Sequence, residues 1–445
     1  MGNKMYKPSM FNRLISKNNE TILYNTRAGI NKIKSIPIEY RHMVFSWLQY
    51  PTVYDDNSLY CMFVNDGFLV PIDCDEKQIR DYIQVSHLTN PRLHLIIHIT
   101  QDCNFRCVYC YMEHTTIMIN EDVQKGIVNF LKKNIHKYSS VFVSWFGGEP
   151  LLGIDIIENL SSEFIKICKE MRKSYIAMIT TNGYLLTAKN MQRLIKVRVF
   201  SVQLSIDGFK ETHDVQRPFK DGSPTFDQIM TNLLAIRDYV DNRFLSIILR
   251  VNVSKKHSNS LTDFYNYLDD LFKNDSRFSL TVGPVANLGG ENILQMQNEL
   301  IDDMNDVYED LALNQSNMRL NTNMEDLGIG GYVCSAKMHN KFTIGCDGSV
   351  HKCDEAIDVK IGQLYSNGYM DMQIDELAKW LAPVKSSQCD NCFFSLCCYM
   401  ERCPRTRIIS GNISECRRNK NEIDSLIWTA SIVYGVERLS MKGES

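Results

Sequence analysis

The sequence predicts an α/β protein built on a partial (β/α)6 barrel, with an N-terminal winged-helix-like α+β module and a C-terminal cysteine-rich region. Two patterns predict the barrel and its flanks. Apolar strand-like segments alternate with amphipathic helical ones between residues 92 and 284, as in the βαβ units of a parallel sheet. Residues 1–90 mix short strands and helices, and cysteines dominate after residue 330. The predicted divisions are residues 1–90, 91–325 and 326–445.

In the N-terminal region the elements are short. Alternating apolar residues predict strands at residues 21–24, 61–64 and 67–71. Helical patterns lie at residues 39–48 and 76–83, and Asn90 and Pro91 then break the chain. Short strands with two helices of this length fit a small recognition module.

The predicted strands of the barrel are apolar over their whole length, which indicates a sheet covered on both faces. They lie at residues 93–100, 141–146, 175–180, 199–205, 245–253 and 278–284. Helix start signals between them predict helices at residues 121–137, 156–173, 188–195 and 224–239.

Composition excludes several classes of protein. The chain has 445 residues, 44% hydrophobic and 23% charged, which is enough apolar material for several domain cores. Its formal net charge of −3 gives no general basic field to attract nucleic acid. No apolar stretch approaches the roughly 20 residues of a membrane-spanning helix, and no signal-peptide pattern opens the chain. We therefore expect a cytoplasmic protein with neither a nucleic-acid nor a membrane partner.

Three cysteines, Cys103, Cys107 and Cys110, follow the first predicted barrel strand. The carboxyl ends of parallel strands are where such sheets build active sites. The spacing C-x3-C-x2-C lets three thiolates of one loop gather at one centre, which suits a four-iron cluster with one iron left open. A structural zinc ion would need a fourth ligand, for which His114 is the nearest candidate. Chance burial of three cysteines is the remaining interpretation.

This loop resembles the signature of the radical S-adenosylmethionine (SAM) superfamily. The resemblance implies a [4Fe-4S] cluster held by Cys103, Cys107 and Cys110, whose open iron chelates the amino and carboxylate groups of SAM. It also implies that an electron from the cluster cleaves SAM to a 5′-deoxyadenosyl radical, which removes a hydrogen from the substrate. Such chemistry requires an electron donor such as flavodoxin or ferredoxin.

Glycines and polar residues mark the ends of the next three predicted strands. Paired glycines let the backbone approach a ligand closely, and Glu149 offers an acceptor for an ammonium group. The family resemblance implies a set of cofactor-binding residues, namely Tyr109, Gly147, Gly148, Glu149, Asn182, Ser205 and Arg217. Asp207 and His213 are either structural caps or direct contacts, and Asn252 is a further candidate.

The cysteines after residue 330 resemble the SPASM extension of radical SAM enzymes. That resemblance implies two auxiliary [4Fe-4S] clusters, three clusters in all, with the first on Cys334, Cys353 and Cys403 and the second on Cys389, Cys392, Cys398 and Cys416. Cys397 is an alternative to Cys398, and Cys346 could complete the first auxiliary cluster. A zinc ribbon is the other interpretation, because C-x2-C pairs are common zinc ligands.

Asp354, directly after Cys353, matches the catalytic base of anaerobic sulfatase maturases, although a solvated turn aspartate is the other interpretation. The long segment before Cys103 resembles that of ribosomal-peptide maturases, which often grip the leader of a precursor peptide by strand addition. We therefore predict a radical SAM maturase that installs a thioether or carbon–carbon crosslink in a precursor peptide. The alternatives are a formylglycine-forming enzyme like the sulfatase maturases and a non-enzymatic metal scaffold.

Overall fold

The structure is a computed structural model. It describes residues 4–289, 291–294, 296–301, 304–314, 318–321, 327–331, 333–382, 389–398, 403–411 and 420–439. Within these ranges the chain forms one large sheet, two small sheets and the helices that cover them.

The N-terminal module contains the first strands and helices of the chain. Its strands are β1 (Met5–Pro8), β2 (Asn12–Lys17), β3 (Glu20–Asn25), β4 (Lys34–Ser35), β5 (Thr52–Val53) and β6 (Leu69–Pro71). Its helices are α1 (Ile38–Gln49), α2 (Ser58–Asn65) and α3 (Glu76–Leu88). β1 lies between β5 and β6 in an antiparallel sheet, and β2, β3 and β4 form a second one.

The strand predicted at residues 61–64 is wrong, because this segment lies within α2. The side chain of Asn57 caps the helix by accepting a hydrogen bond from the Leu59 N–H. Leu59 and Phe63, one helical turn apart, are both buried. Four consecutive apolar residues do not distinguish a strand from a helix, and here the cap and the turn-by-turn burial decide.

The central part of the chain forms the predicted parallel sheet. Its strands are β7 (Arg92–Thr100), β8 (Ser140–Gly147), β9 (Ser174–Thr181), β10 (Val199–Ser205), β11 (Ser246–Val253) and β12 (Phe278–Pro284). Its helices are α4 (Glu121–Asn134), α5 (Ile154–Glu170), α6 (Ala188–Lys196), α7 (Lys210–Gln216), α8 (Phe226–Tyr239) and α9 (Leu261–Phe272). All six strands pair in parallel in chain order, and each predicted strand is confirmed to within one residue at either end.

The sheet continues past the barrel strands on both sides. The later elements are α10 (Glu291–Leu294), α11 (Asn305–Leu313), β13 (Arg319–Asn321), β14 (Lys341–Ile344), β15 (Ser349–His351), β16 (Gly362–Leu364), β17 (Met370–Met372), α12 (Ile374–Leu381), α13 (Ser395–Cys398), α14 (Pro404–Ser410), α15 (Lys420–Tyr434) and β18 (Glu437–Arg438). β13 adds in parallel to β12, and β14 adds in parallel to β7. β15, β16 and β17 then follow β14 as antiparallel strands. The cysteine-rich region therefore begins as an extension of the barrel sheet beside its first strand.

The C-terminal region also packs against the N-terminal module. β18 pairs in parallel with β4, and Ile22 and Tyr24 of β3 share a buried cluster with Phe393 and Cys397. The hydroxyl of Thr26 donates to the carbonyl oxygen of Phe393 at 2.8 Å. Both ends of the described chain thus share one core, and the divisions at 90/91 and 325/326 stay predictions.

In the described ranges, no helix combines the length and the hydropathy that crossing a lipid bilayer requires.

Candidate active site

The loop after β7 carries the first cysteine system. The Thr100 hydroxyl accepts the Asp102 N–H at 3.0 Å, and the Asp102 carboxylate accepts the Cys103 N–H at 2.8 Å, so a short polar turn opens the loop. Phe105 then forms an antiparallel bridge with Phe219. These bonds place Cys103 and Cys107 in buried positions and Cys110 in a half-buried one.

The glycine pair after β8 is required by the close approach of two backbones. Gly147 has a φ of 127°, and a Cβ there would lie 2.3 Å from the Thr100 carbonyl oxygen. A Cβ on Gly148 would lie 2.1 Å from the carbonyl oxygen of Asp102. The Gly148 N–H donates to Thr100 O at 2.8 Å, so the glycines bind the end of β8 directly to the start of the cysteine loop.

Glu149 binds the ends of two neighbouring strands. Its fully buried carboxylate accepts the Leu151 N–H at 3.0 Å, the Thr181 hydroxyl at 2.7 Å and the Asn182 N–H at 2.8 Å. Burial raises the pKa of this carboxyl, although these three hydrogen bonds oppose the rise. In this geometry the side chain holds the ends of β8 and β9 together, with Oε1 accepting two hydrogen bonds and Oε2 accepting one.

Asn182, at the end of β9, reaches the cysteine loop. Its Nδ2 donates to the Asn104 side-chain oxygen at 2.7 Å and lies 3.7 Å from the Cys103 sulfur. Its own Oδ1 accepts the Tyr184 N–H at 3.0 Å. The amide is thus held in one orientation beside Cys103.

Asp207 is the centre of a polar network between β10, β11 and the cysteine loop. Its carboxylate accepts the Tyr109 hydroxyl, which in turn accepts Nη1 of Arg217 at 2.5 Å. Nη1 of Arg217 also lies 3.8 Å from the Asp207 carboxylate. Asn252 Nδ2 donates to both Tyr109 and Asp207 at 3.2 Å, and His213 Nδ1 accepts the Asp207 N–H at 3.1 Å. The network positions Tyr109 and Arg217. Asp207 and Asn252, which the sequence marked only as candidates, are therefore central to holding these two side chains in place.

A cavity of about 420 Å³ opens over these strand ends. The predicted site residues on its lining are Cys103, Cys107, Tyr109, Cys110, Gly147, Gly148, Asn182, Ser205, Arg217 and Asp354. Glu149 is not among them. Gln203 and Arg250 line it although the sequence analysis did not single them out. The sequence could have indicated both residues, because each is a polar residue among apolar neighbours at or near the end of a barrel strand.

The donor set of this cavity fits an iron–sulfur cluster and an amino-acid ligand. Three thiols on one loop supply three iron ligands. Nε of Arg217 is buried without a hydrogen-bond partner in the described structure, and such a guanidinium N–H suits a carboxylate. Burial raises the pKa of Cys103 to about 12 and that of Cys107 to about 11, so these thiols ionise when a metal stabilises the thiolates.

The zinc interpretation of this loop finds less support. His114 Nε2 lies 3.5 Å from the Cys110 sulfur. Yet among the described residues no three His, Cys, Asp or Glu side chains are arranged to hold a single metal ion. A four-iron cube carries each thiolate on a separate iron, so its ligands need not converge on one point.

The C-terminal extension contributes one wall of the cavity. Asp354 and Glu355, which follow β15, line it together with the strand ends of the barrel. The Tyr111 hydroxyl donates to the Asp354 carbonyl oxygen at 3.4 Å, and the buried Lys341 ammonium lies 3.5 Å from the Asp354 carboxylate. The sheet extension thus brings a carboxylate that is distant in sequence to the cysteine loop.

The second cysteine system is divided between two places. Cys334 and Cys353 flank the β14–β15 hairpin, whereas Cys389, Cys392 and Cys398 lie in the segment packed on the N-terminal module. Cys403 caps the start of α14, and Cys416 lies outside the described residues.

Two cysteines that were left open are buried and bonded to the backbone. Cys397 is fully buried and its thiol donates to Leu327 O at 3.3 Å, while Cys398 is half-buried. The Cys346 thiol donates to His98 O at 3.3 Å within the barrel core.

Comparison with known proteins agrees with this geometry. Residues 97–257 match the Radical SAM superfamily. The chain is 26% identical over 178 residues to an uncharacterized protein of Methanocaldococcus jannaschii, covering 39% of this chain and 58% of that protein. It is 26% identical over 347 residues to the serine-type anaerobic sulfatase-maturating enzyme of Bacteroides thetaiotaomicron, covering 68% of this chain and 80% of the relative. The solved structure of native anSMEcpe with bound AdoMet and Cp18Cys peptide superposes with a TM-score of 0.58 at 20% identity, over 76% of this chain and 97% of the other.

The parallel sheet, the cysteine loop at its carboxyl edge and the match over residues 97–257 define a radical SAM domain. The predicted α/β fold of the radical SAM type is confirmed. The chain therefore contains a radical SAM domain and is similar over 68% of its length to an anaerobic sulfatase-maturating enzyme, and a domain of this family implies a [4Fe-4S] cluster and SAM.

Proposed function

We propose that the protein is a cytoplasmic peptide maturase that uses a SAM-derived radical to install a thioether or carbon–carbon crosslink in a precursor peptide. The observation that carries the proposal is the composition of the 420 Å³ cavity. Its lining holds the three cysteines and the polar strand ends together with Asp354. A hydrogen-abstraction site and a candidate base thus share one chamber that is open to an extended substrate.

The residues at the strand ends would hold the cofactors. Cys103, Cys107 and Cys110 would ligate the cluster, and the free Nε of Arg217 would bind the carboxylate of SAM. The backbone of Gly147 and Gly148 and the amide of Asn182 complete the binding face. When bound, this group supplies a 5′-deoxyadenosyl radical that removes one hydrogen atom from the substrate. The Asp207 network keeps Tyr109 and Arg217 in place.

Asp354 would accept the proton that leaves the second side chain as the crosslink forms. Lys341, with its ammonium at 3.5 Å, holds that carboxylate at the cavity wall. For each crosslink the peptide would give one hydrogen atom to the radical, one proton to Asp354 and one electron to an auxiliary cluster, so it would lose two hydrogens overall. A product lighter by two hydrogens per link is therefore the signature of the reaction.

The two auxiliary clusters would use Cys334, Cys353 and Cys403, and Cys389, Cys392, Cys398 and Cys416. The thiols of Cys397 and Cys398 each bond to a backbone oxygen, and Cys398 is the proposed ligand because it preserves the five-residue gap after Cys392. An electron donor such as flavodoxin or ferredoxin would supply the reducing equivalents. The N-terminal module would grip the leader by strand addition, and the short strands β5 and β6 are the edges of its three-stranded sheet.

Formylglycine formation is the second candidate, because the relative in Bacteroides thetaiotaomicron that matches 68% of this chain is a sulfatase-maturating enzyme. Both reactions begin with the same hydrogen abstraction and both remove two hydrogens. They differ in substrate and in whether a new bond joins two residues.

Co-expression with the short peptide encoded beside the enzyme tests the proposal. By mass spectrometry we expect the peptide to lose two hydrogens per link. In tandem spectra, fragment ions should be absent between the two linked residues. Oxidation of a sulfatase peptide, with the adjacent peptide unchanged, would support the second candidate instead. Failure to form 5′-deoxyadenosine from SAM and dithionite after anaerobic reconstitution would refute both.

A further inference from the structure

A second cavity, of about 370 Å³, lies between β7 and the β14–β15 hairpin. It shares Tyr111, Met112, Leu288 and Glu355 with the lining of the first cavity. The two chambers therefore adjoin, and an extended peptide that enters one can place a neighbouring side chain in the other.

The second cavity is acidic. Its lining includes the carboxylates of Glu113, Asp347, Glu355 and Asp358, and no lysine or arginine of the described residues is part of it. Asp347 accepts the N–H and the hydroxyl of Ser349, at 3.0 and 2.6 Å. These two bonds fix one oxygen of the Asp347 carboxylate at the edge of the cavity. The guanidinium of Arg405 donates to the carbonyl oxygens of Glu355 and Leu288 and is not itself part of the lining.

His98 is the independent sign of a ligand. Its side chain lines this cavity and is 3% exposed, yet its Nε2 has no hydrogen-bond partner in the described structure. A buried polar atom without a partner is rare in a folded protein, and a bound ligand is one of the few things that satisfy it. Burial lowers the pKa of His98 to about 4, so the imidazole is neutral and can accept a hydrogen bond on Nε2.

A cationic side chain fits this chamber better than a metal ion. Among the described residues no three of its His, Asp and Glu side chains are arranged around a single ion. Carboxylates spread over the walls, with a hydrogen-bond acceptor on the barrel side, suit the several N–H donors of a guanidinium.

We propose that the second cavity is a specificity subsite for a basic residue of the peptide substrate, with its carboxylates binding the cation and Nε2 of His98 accepting one N–H. This inference rests on the proposed function, because it assumes that a peptide reaches the cysteine loop. To the proposed function it adds that the peptide substrate carries a basic residue near the modified position.

Equilibrium dialysis of the anaerobically reconstituted enzyme with two probes tests the subsite. The probes are N-acetylated pentapeptides of glycine with a central arginine or a central citrulline, which has nearly the same shape without the charge. We expect the arginine peptide to bind about tenfold more tightly, because hydrogen bonds between charged groups are stronger than neutral ones.

The preference should disappear in the double variant Glu113→Gln/Asp358→Asn. It should survive in Glu170→Gln/Asp241→Asn, which removes the same charge from exposed positions outside the cavity. His98→Leu should weaken the arginine peptide about threefold, as expected for the loss of one hydrogen bond. Equal binding of the two peptides, a preference that survives in the first double variant, or no effect of His98→Leu would overturn the proposal.

Formation of 5′-deoxyadenosine, measured on the same preparation without peptide, separates this inference from the proposed function. An enzyme that cleaves SAM but binds both peptides equally lacks the subsite. An enzyme that prefers arginine but never cleaves SAM retains the subsite and lacks the proposed chemistry.

Discussion

The two cysteine systems of this protein are built in opposite ways. Cys103, Cys107 and Cys110 lie on one loop directly after β7, and hydrogen bonds from adjacent strand ends hold that loop. The cysteines after residue 330 are spread over distant segments, some beside the barrel and some against the N-terminal module. The first system depends on local spacing and one strand end, whereas the second depends on how separate parts of the chain pack.

The seam between these regions is the pairing of β7 with β14, which sets His94 opposite Lys341. Through this seam Asp354 reaches the cavity of the first system. The cavity beside the cysteine loop is therefore completed by a strand that begins about 240 residues after the end of β7.

The largest effect is expected from the local system. Cys107→Ser removes a thiol from the loop that would hold the SAM-binding cluster, so 5′-deoxyadenosine formation should fall to background. Iron content should drop by the equivalent of one cluster. Cys74→Ser, at a half-buried cysteine of the N-terminal region, is the control and should change neither quantity. SAM cleavage at the normal rate in Cys107→Ser would contradict the assignment.

In the second cysteine system, two variants should distinguish a cysteine that binds iron from one that only packs in the core. Cys398→Ala is expected to lose iron and crosslinked product while SAM cleavage without peptide continues. Cys397→Ala should keep its iron but unfold more easily, by about 1–2 kcal/mol, because it leaves a small void in the core around Tyr24. Iron assays and thermal melts distinguish the two variants. Iron loss in Cys397→Ala but not in Cys398→Ala would show that Cys397, not Cys398, is the cluster ligand.

The Asp207 network should affect binding of SAM more than turnover. Asp207→Asn weakens the support of Tyr109 and Arg217, so we expect the KM for SAM to rise about tenfold with a smaller change in kcat. Asp227→Asn, at an exposed aspartate that pairs with Lys210, is the control. An unchanged KM, measured by 5′-deoxyadenosine formation, would show that the network is only structural.

The smallest expected effect is on the pH dependence of folding stability, through His94 in the pairing of β7 with β14. Burial, together with the Lys341 ammonium on the adjacent strand, lowers the pKa of His94 to about 3. Below the ordinary pKa of about 6.5, the unfolded chain binds a proton there that the folded protein does not. This histidine therefore favours the folded state fully above pH 6.5, and the contribution is lost as the pH falls toward 3, by up to about 1.4 kcal/mol per unit.

Thermal melts between pH 7 and 5 measure this effect. The fall in Tm over that range should be smaller in His94→Gln than in the wild type, while the exposed His42→Gln should behave as the wild type. Parallel curves for all three proteins would exclude His94 as a source of the acid sensitivity.

Much of the barrel was predictable because its strands are apolar segments and two of its helices, α4 and α6, begin at polar caps. Both signals lie within about ten residues of the element that they describe. β7 and β12 are buried almost throughout, whereas β9 and β11 alternate buried residues with more exposed ones. The site residues at the strand ends were predictable too, because they directly follow the predicted strands. Asp207 was harder to assign, because its contacts come from Tyr109, Arg217 and Asn252 on three other segments.

Other features left no local signal. Residues 61–64 are equally apolar as strand or helix, and only their packing in α2 decides. Glu149 looks like a free acceptor until the ends of β8 and β9 surround it. The pairing of β14 with β7 brings together residues 247 positions apart, such as Lys341 and His94, and no short pattern records such a pairing.

The order of the amino acids alone specifies the six barrel strands, the spacing of the first three cysteines and the glycines that let two backbones meet. These depend on local periodicity, backbone freedom and ligand spacing. Long-range packing sets which carboxylates face the cysteine loop, which thiols are buried and where a second chamber opens. These depend on surfaces that form only when distant segments meet, because burial and hydrogen-bond satisfaction belong to the assembled core.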